Sequence, residues 1–247
     1  MNRKESRVAL VTGAAGTMGA ATARRLAADG HRVVLVDIAA DRLKPIAAAL
    51  GAAGHAIAAD ISDPAAADQV IAEAERALGP VDILVNNAGI LSNNKAVETT
   101  PEEWRQVLAV NLDAAFYLAR RALPGMKARR FGRIVNVCSL AMKSGGITAG
   151  TAYTASKGAL AALTFSLARE FAPFGVTVNG IAPAYVKTPM VTEQLTEAQR
   201  QALLQQIPVG RFCEPEEFAH CVAFLVSPMS GFITGEILDL NGGLHFD

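Results

Sequence analysis

The sequence lacks the features that mark several broad classes of protein. Its 247 residues include only three cysteines, Cys138, Cys213 and Cys221, and no two form a CxxC pair. An odd count without paired spacing argues against a disulfide framework and against a zinc site, and fits a reducing compartment. Each cysteine reads as a small buried hydrophobe. Net charge is also absent, because 23 basic residues are matched by 23 acidic ones. No long-range field therefore draws nucleic acid or an anionic membrane, and a small-molecule or protein partner is the default. No run of about 18 apolar residues, the length a membrane-spanning helix needs, occurs anywhere. The opening Met-Asn-Arg-Lys-Glu-Ser-Arg leads into a strand-like segment without the apolar region of a signal peptide. The expectation is a soluble, cytoplasmic protein.

What is present is a large apolar fraction, 51% against 19% charged residues, which indicates a buried core rather than disorder. Short β-branched runs at 7–11, 32–36, 55–59, 83–85, 133–137, 177–181 and 237–240 alternate with longer stretches that carry apolar residues at helical spacing. The helical patterns lie at about 17–29, 40–51, 64–78, 101–128, 152–172 and 215–226. This order predicts an α/β fold, a doubly wound parallel sheet of about seven strands with helices on both faces. Several strands are apolar throughout, as strands buried on both sides must be. No linker or internal repeat divides the series, so residues 1–247 read as one domain. The exception to the alternation is 184–210, a long excursion that reads either as a lid over a site or as a plain surface insertion.

Tyr153 and Lys157 stand four residues apart and so share a helix face, with Ser139 at the end of the apolar run before them. A cation near a phenol favours the phenolate and lowers its pKa, the tuning a general acid/base needs. Such pairs also arise by chance in long helices, so the pair needs support from elsewhere in the chain. Support comes from the first strand, which ends in Val-Thr-Gly13-Ala-Ala-Gly16-Thr17-Met18-Gly19 and enters a helix. Glycines there let the backbone approach a pyrophosphate, which the helix N-terminus holds. Asp37 follows at the tip of the second strand, where a carboxylate accepts ribose hydroxyls and repels a 2′-phosphate. With no Arg or Lys in the glycine turn, the expected cofactor is NAD rather than NADP.

Together with Asn86-Asn87-Ala88-Gly89, Asn179-Gly-Ile-Ala-Pro183 and the terminal Ile233 to Gly243 segment, these motifs resemble the short-chain dehydrogenase/reductase family over nearly the whole chain. Within that family the likeness is to 3-oxoacyl-carrier-protein reductases and related secondary-alcohol dehydrogenases. The resemblance implies hydride transfer between NAD(H) and a secondary alcohol or ketone. It places Tyr153 as general acid/base, Ser139 as holder of the substrate oxygen and Lys157 as ribose ligand and charge on the phenol. It also makes Asn111 the anchor of a water beside Lys157; taken alone, an Asn in a helical pattern is more often a backbone-bonding residue.

The cofactor contacts it implies are Gly13, Gly16, Thr17, Met18, Gly19, Asp37, Ile38, Asp60, Ile61, Asn87, Ala88, Gly89, Val110, Tyr153, Lys157, Pro183, Val186 and Thr188; no metal is implied. Asp60 reads equally as an ordinary helix-start acid, with Asp63-Pro64 the better cap signal. Thr17 and Ala184 stand where the family usually has glycine. The expected substrate walls are Leu140, Met142, Ile147, Tyr185 and Met190, apolar apart from Lys143 and Lys187, which favours a neutral carbonyl over a sugar phosphate. The alternative is a 3-oxoacyl-carrier-protein reductase, which needs a basic patch at the mouth; Lys127, Arg129 and Arg130 are its candidates. The resemblance further implies a homotetramer, through helices 101–128 and 152–172 and the C-terminal strand.

Overall fold

A computed structural model of the chain describes residues 6–189 and 196–246. Seven parallel strands, β1 (Val8–Thr12), β2 (Arg32–Asp37), β3 (Gly54–Ala58), β4 (Val81–Asn86), β5 (Gly132–Val137), β6 (Val176–Pro183) and β7 (Ile237–Leu240), form one sheet in the order β3-β2-β1-β4-β5-β6-β7. Alternation along the strands builds both cores. Val8 and Leu10 of β1, Val34 and Val36 of β2, and Leu84 of β4 enter one apolar cluster. Ala9 and Val11, Val33 and Leu35, and Ile83 and Val85 enter the other. Period-two side chains on a strand reach opposite faces, so β1 and the middle of β2 are apolar on both sides.

The first cluster is covered by α3 (Pro64–Leu78), α5 (Ala114–Arg129) and α7 (Thr151–Phe171), and the second by α1 (Thr17–Ala28), α2 (Ala40–Leu50) and α9 (Pro215–Val226). Caps set several of these starts. The Asp63 side chain accepts from Ala65 N–H ahead of Pro64, and Thr100 accepts from Glu103 N–H ahead of Pro101, which opens α4 (Pro101–Leu108). The pattern at 101–128 is one helix in the sequence, whereas the structure inserts a π-helical turn, Ala109–Asp113, between α4 and α5. The extra residue in that turn directs Asn111 inward, where it is buried.

Two further helices lie where the sequence predicts none. The four-residue α6 (Ala141–Ser144) follows β5, and α8 (Glu197–Gln206) lies within the 184–210 excursion behind a Thr196/Gln199 capping box. Leu203, Ile207 and Phe212 form a small apolar cluster against Tyr185 and Leu244, which ties the excursion to the chain end. A buried relay then locks α7 to the sheet. Asn86 Nδ2 donates to Asn136 Oδ1, Asn136 Nδ2 to Thr164 Oγ1, and Thr164 Oγ1 to the Leu160 carbonyl, each at 2.8 Å. Among the described residues no helix is long and apolar enough to cross a membrane, and no group of three or more His, Cys, Asp or Glu could hold a metal ion.

Candidate active site

The strand order reverses between β1 and β4, the point at which open parallel sheets take ligands outside their carboxyl ends. A cleft of about 680 Å³ opens there. Its floor is the glycine turn. Gly13 has φ +64°, and a Cβ on it would lie 2.9 Å from Ala88 Cα; a Cβ on Gly19 would collide with the Gly13 carbonyl. The Asn86-Asn87-Ala88-Gly89 segment staples this turn to β4. Thr12 Oγ1 accepts the N–H groups of Asn87 and Ala88 at 3.0 Å, while Asn87 Nδ2 donates to the Thr12 and Gly13 carbonyls at 2.9 and 3.2 Å.

The N-terminus of α1 has neither a side-chain cap nor an acid in its first turn, so its amides and the positive end of its dipole remain available to an anion. The buried Asn87 Oδ1 has no hydrogen-bond partner among the described residues. A pyrophosphate with its sugar fits this cradle: glycines where a Cβ would collide, free donors for the phosphates, and an unpaired acceptor for a hydroxyl. Thr17 opens α1 on the cleft wall, and Ala184 also lines the cleft without the positive φ that would strain it.

At the end of β2, Asp37 is fixed by two backbone donors, Ala15 N–H to Oδ2 and Ala39 N–H to Oδ1, each at 3.0 Å. The glycine turn itself carries no Arg or Lys, but a basic residue from the next helix reaches the same cleft. Arg42, in the first turn of α2, lines the same cleft and donates from Nη2 to the Ala15 carbonyl at 2.8 Å. Helical phase carries it back over the turn, a placement that no motif announces.

Ser139, Tyr153 and Lys157 come together on the opposite wall. Ser139 Oγ accepts Ala141 N–H at 3.1 Å and is hydrogen-bonded to Tyr153. Lys157 is 3% exposed, and its Nζ donates to the Val137 carbonyl at 2.6 Å, 5.7 Å from the centroid of the Tyr153 ring. The expected net lowering of the phenol's pKa is not found, and the shift is upward. Burial pushes Tyr153 up, the Ser139 hydrogen bond opposes the rise, and nearby Cys138 adds to it. Burial also lowers Lys157 to about 8, so it keeps its proton at neutral pH and loses it on the mildly alkaline side.

Asn111 is brought to this corner but lies behind the cleft wall. Its Oδ1 accepts Ile90 N–H at 2.8 Å, and its Nδ2 donates to the Ile90 carbonyl and to Ser156 Oγ, each at 3.0 Å. A Cβ on Gly89 would sit 3.3 Å from both Asn111 Oδ1 and Lys157 Nζ, so the three converge. Through these bonds the side chain fixes the turn beside Lys157.

Fourteen of the eighteen expected cofactor contacts line the cleft. The other four do not. Ile38 points outward and is 72% exposed, and Ile61 is packed in the core. Asp60 is turned onto Ser62, whose N–H and hydroxyl donate to Oδ1 at 3.0 and 2.7 Å and lower its pKa. Val110 is half-buried in the π turn.

Of the expected substrate walls, Leu140, Ile147 and Tyr185 line the cleft, whereas Met142 packs against the Cys138–Leu160 cluster. Met190 lies outside the described residues. Lys143 pairs with Asp239 at 2.8 Å and Lys187 with Glu214 at 2.6 Å. The sequence reading missed Gly146, Thr148 and Ala149 on the loop before α7, Gln206 at the end of α8, and Leu244 and His245 near the chain end. The capping box was the available signal for α8; nothing local marked the tail. Lys127, Arg129 and Arg130 lie at the far end of the sheet, just before β5 begins, where Lys127 sits over the Phe174 ring and Arg129 binds Asp82. Within one chain they are not at the cleft mouth.

The comparisons with known proteins agree with this geometry. A family model described as enoyl-(acyl carrier protein) reductase matches residues 13–245. The chain is 41% identical to the 3-oxoacyl-[acyl-carrier-protein] reductase FabG of Vibrio cholerae, over 98% of both chains. It is 42% identical to the acetoacetyl-CoA reductase of Rhizobium meliloti, over 98% of this chain and 99% of that one. A crystal structure from Brucella melitensis, titled short-chain dehydrogenase/reductase and glucose/ribitol dehydrogenase, superposes with a TM-score of 0.92 at 36% identity, covering 98% of each chain. On fold, site geometry and likeness together, this chain is an oxidoreductase of the short-chain dehydrogenase/reductase family.

Proposed function

We propose that the chain is an NAD(H)-dependent reductase and dehydrogenase that interconverts a neutral ketone and its secondary alcohol. The observation that carries this is one cleft with a glycine cradle and Asp37 at one end and Ser139, Tyr153 and Lys157 at the other. When bound, the nicotinamide supplies or accepts the hydride. Ser139 donates a hydrogen bond to the substrate oxygen, and Tyr153 transfers its phenolic proton to that oxygen in reduction or removes the alcohol proton in oxidation. Lys157 holds ribose hydroxyls. The raised pKa keeps the phenol protonated at neutral pH, which suits the reductive direction.

Asp37 favours NAD because its fixed carboxylate repels a 2′-phosphate, while Arg42 across the turn moderates that preference. Lid closure by the 184–210 excursion and work in the cytoplasm, where three unpaired thiols stay reduced, belong to the same reading. So does assembly as a homotetramer.

The relatives named as carrier-protein and coenzyme A thioester reductases favour a second reading, reduction of a 3-oxoacyl thioester. Steady-state kinetics with simple ketones, acetoacetyl-CoA and a 3-oxoacyl carrier protein, each with NADH and NADPH, separate the two. Tyr153→Phe is expected to lower kcat/KM by about 10²–10⁴-fold. Turnover that survives loss of the phenol sinks the mechanism, and a higher kcat/KM with NADPH sinks the cofactor assignment.

A further inference from the structure

The loop between α6 and α7 forms part of the cleft wall through Gly146, Ile147, Thr148 and Ala149. Gly145 and Gly146 both have φ +74°, so the segment has a permissive backbone and needs an external anchor to hold one shape. That anchor comes from a loop fifty residues earlier in the chain. Lys95 Nζ donates to the carbonyls of Ala149 at 2.7 Å, Gly146 at 2.8 Å and Ile147 at 3.5 Å. Three ammonium protons meet three carbonyls of one loop.

The Lys95 loop is itself tied down. Glu103 of α4 accepts from Ser92 Oγ and from Asn94 Nδ2, and the Ser92 and Asn94 carbonyls accept Gly150 N–H at 2.7 Å and Thr151 N–H at 3.0 Å. A Cβ on Gly150 would lie 2.5 Å from the Asn94 carbonyl, so the two loops are in close contact. Lys95 has no carboxylate partner among the described residues; backbone carbonyls take up its charge.

We propose that Lys95 is a positioning residue for substrate. Its ammonium seats the Gly146–Ala149 wall, and through that wall it sets how tightly and how selectively a carbonyl compound is held. It does not touch the proton-transfer groups, which have their own anchors: Tyr153 on Ser139 and Lys157 on the Val137 carbonyl. This inference rests on the cleft being the active site as read above.

The test uses Lys95→Ala in the full chain, with ethyl acetoacetate and NADH, beside wild type and Tyr153→Phe. Loss of three charge-assisted bonds is expected to raise KM about tenfold while kcat and the NADH Kd stay within about twofold. Added methylammonium, small enough to refill the seat, is expected to bring the Lys95→Ala KM back toward wild type. An unchanged KM, or a kcat that falls as far as KM rises, overturns the proposal. If Lys95→Ala does not fold, Lys95→Arg decides: the bulkier planar guanidinium does not reproduce the compact ammonium's three bonds to one loop, so KM still rises, and a wild-type KM refutes the role. Activity retained in Tyr153→Phe points instead to failure of the active-site reading, whatever Lys95 does.

Discussion

At the residue scale, the buried ammonium of Lys157 makes the fold sensitive to pH in a definite direction. Its pKa falls from 10.5 to about 8 on burial. Below about 8 both folded and unfolded chains hold the proton, and the full cost of burying the cation is present. Between about 8 and 10.5 the unfolded chain holds a proton that the folded chain has released, so stability rises with pH across that window. Tyr153, raised by burial, acts in the opposite sense only above its ordinary value of 10. Lys157→Met removes the Lys157 contribution. Urea unfolding at about pH 7 and about pH 9.5 should therefore show the variant's stability advantage over wild type shrinking as pH rises. A difference that does not change with pH would contradict the assigned shift.

The identity of these residues was legible in the sequence, but their electrostatics were not. Four-residue spacing places Tyr153 and Lys157 on one face, yet the depth of burial, which reversed the expected shift of the phenol, depends on the α7 packing fixed by Asn86, Asn136 and Thr164. Arg42 was invisible for a related reason: its approach to the Ala15 carbonyl depends on how α2 leaves β2.

At the scale of elements, the glycine turn and α1 act as one unit. Gly19 sits in the first turn of α1 against the Gly13 carbonyl, so Gly19→Ala forces backbone against backbone. The variant should lose about 1–3 kcal/mol of stability by denaturant titration, and calorimetry should show a weakened Kd for NADH. Wild-type NADH affinity in Gly19→Ala would show that the cradle is not the pyrophosphate seat. The strands and most helices were legible because each strand feeds two cores and because Asp63-Pro64 and Thr100-Pro101 mark their helix starts. The π turn was not, since a single extra residue leaves the apolar spacing of 101–128 almost intact. The short α6 lacks a full helical period to detect, and the polar α8 buries only Leu203.

At the scale of the whole molecule, six of the exposed large apolar side chains lie in two groups. Trp104, Phe116 and Phe165 lie on α4, α5 and α7, while Phe224, Met229 and Phe232 gather near the C-terminal edge, with Phe232 fully exposed. Exposed apolar sets of this kind mark protein contacts, and on the proposed reading of a homotetramer these two groups are the candidate contact faces. Light scattering should give the mass of four chains, and the double variant Met229→Asp, Phe232→Asp should give two. A stable wild-type monomer would remove the assembly from the reading.

The reversal of strand order between β1 and β4 has a consequence for how such a chain can change over generations. The cleft residues proposed for the cofactor's adenosine end, from Gly13 to Gly89, precede the midpoint of the chain. The walls around the carbonyl, from Ser139 to His245, follow it. A single recombination event in the intervening helices could exchange one kind of recognition and leave the other intact. The proton-transfer groups Ser139, Tyr153 and Lys157 travel with the substrate walls, so an exchange of the second half carries its own proton chemistry with it.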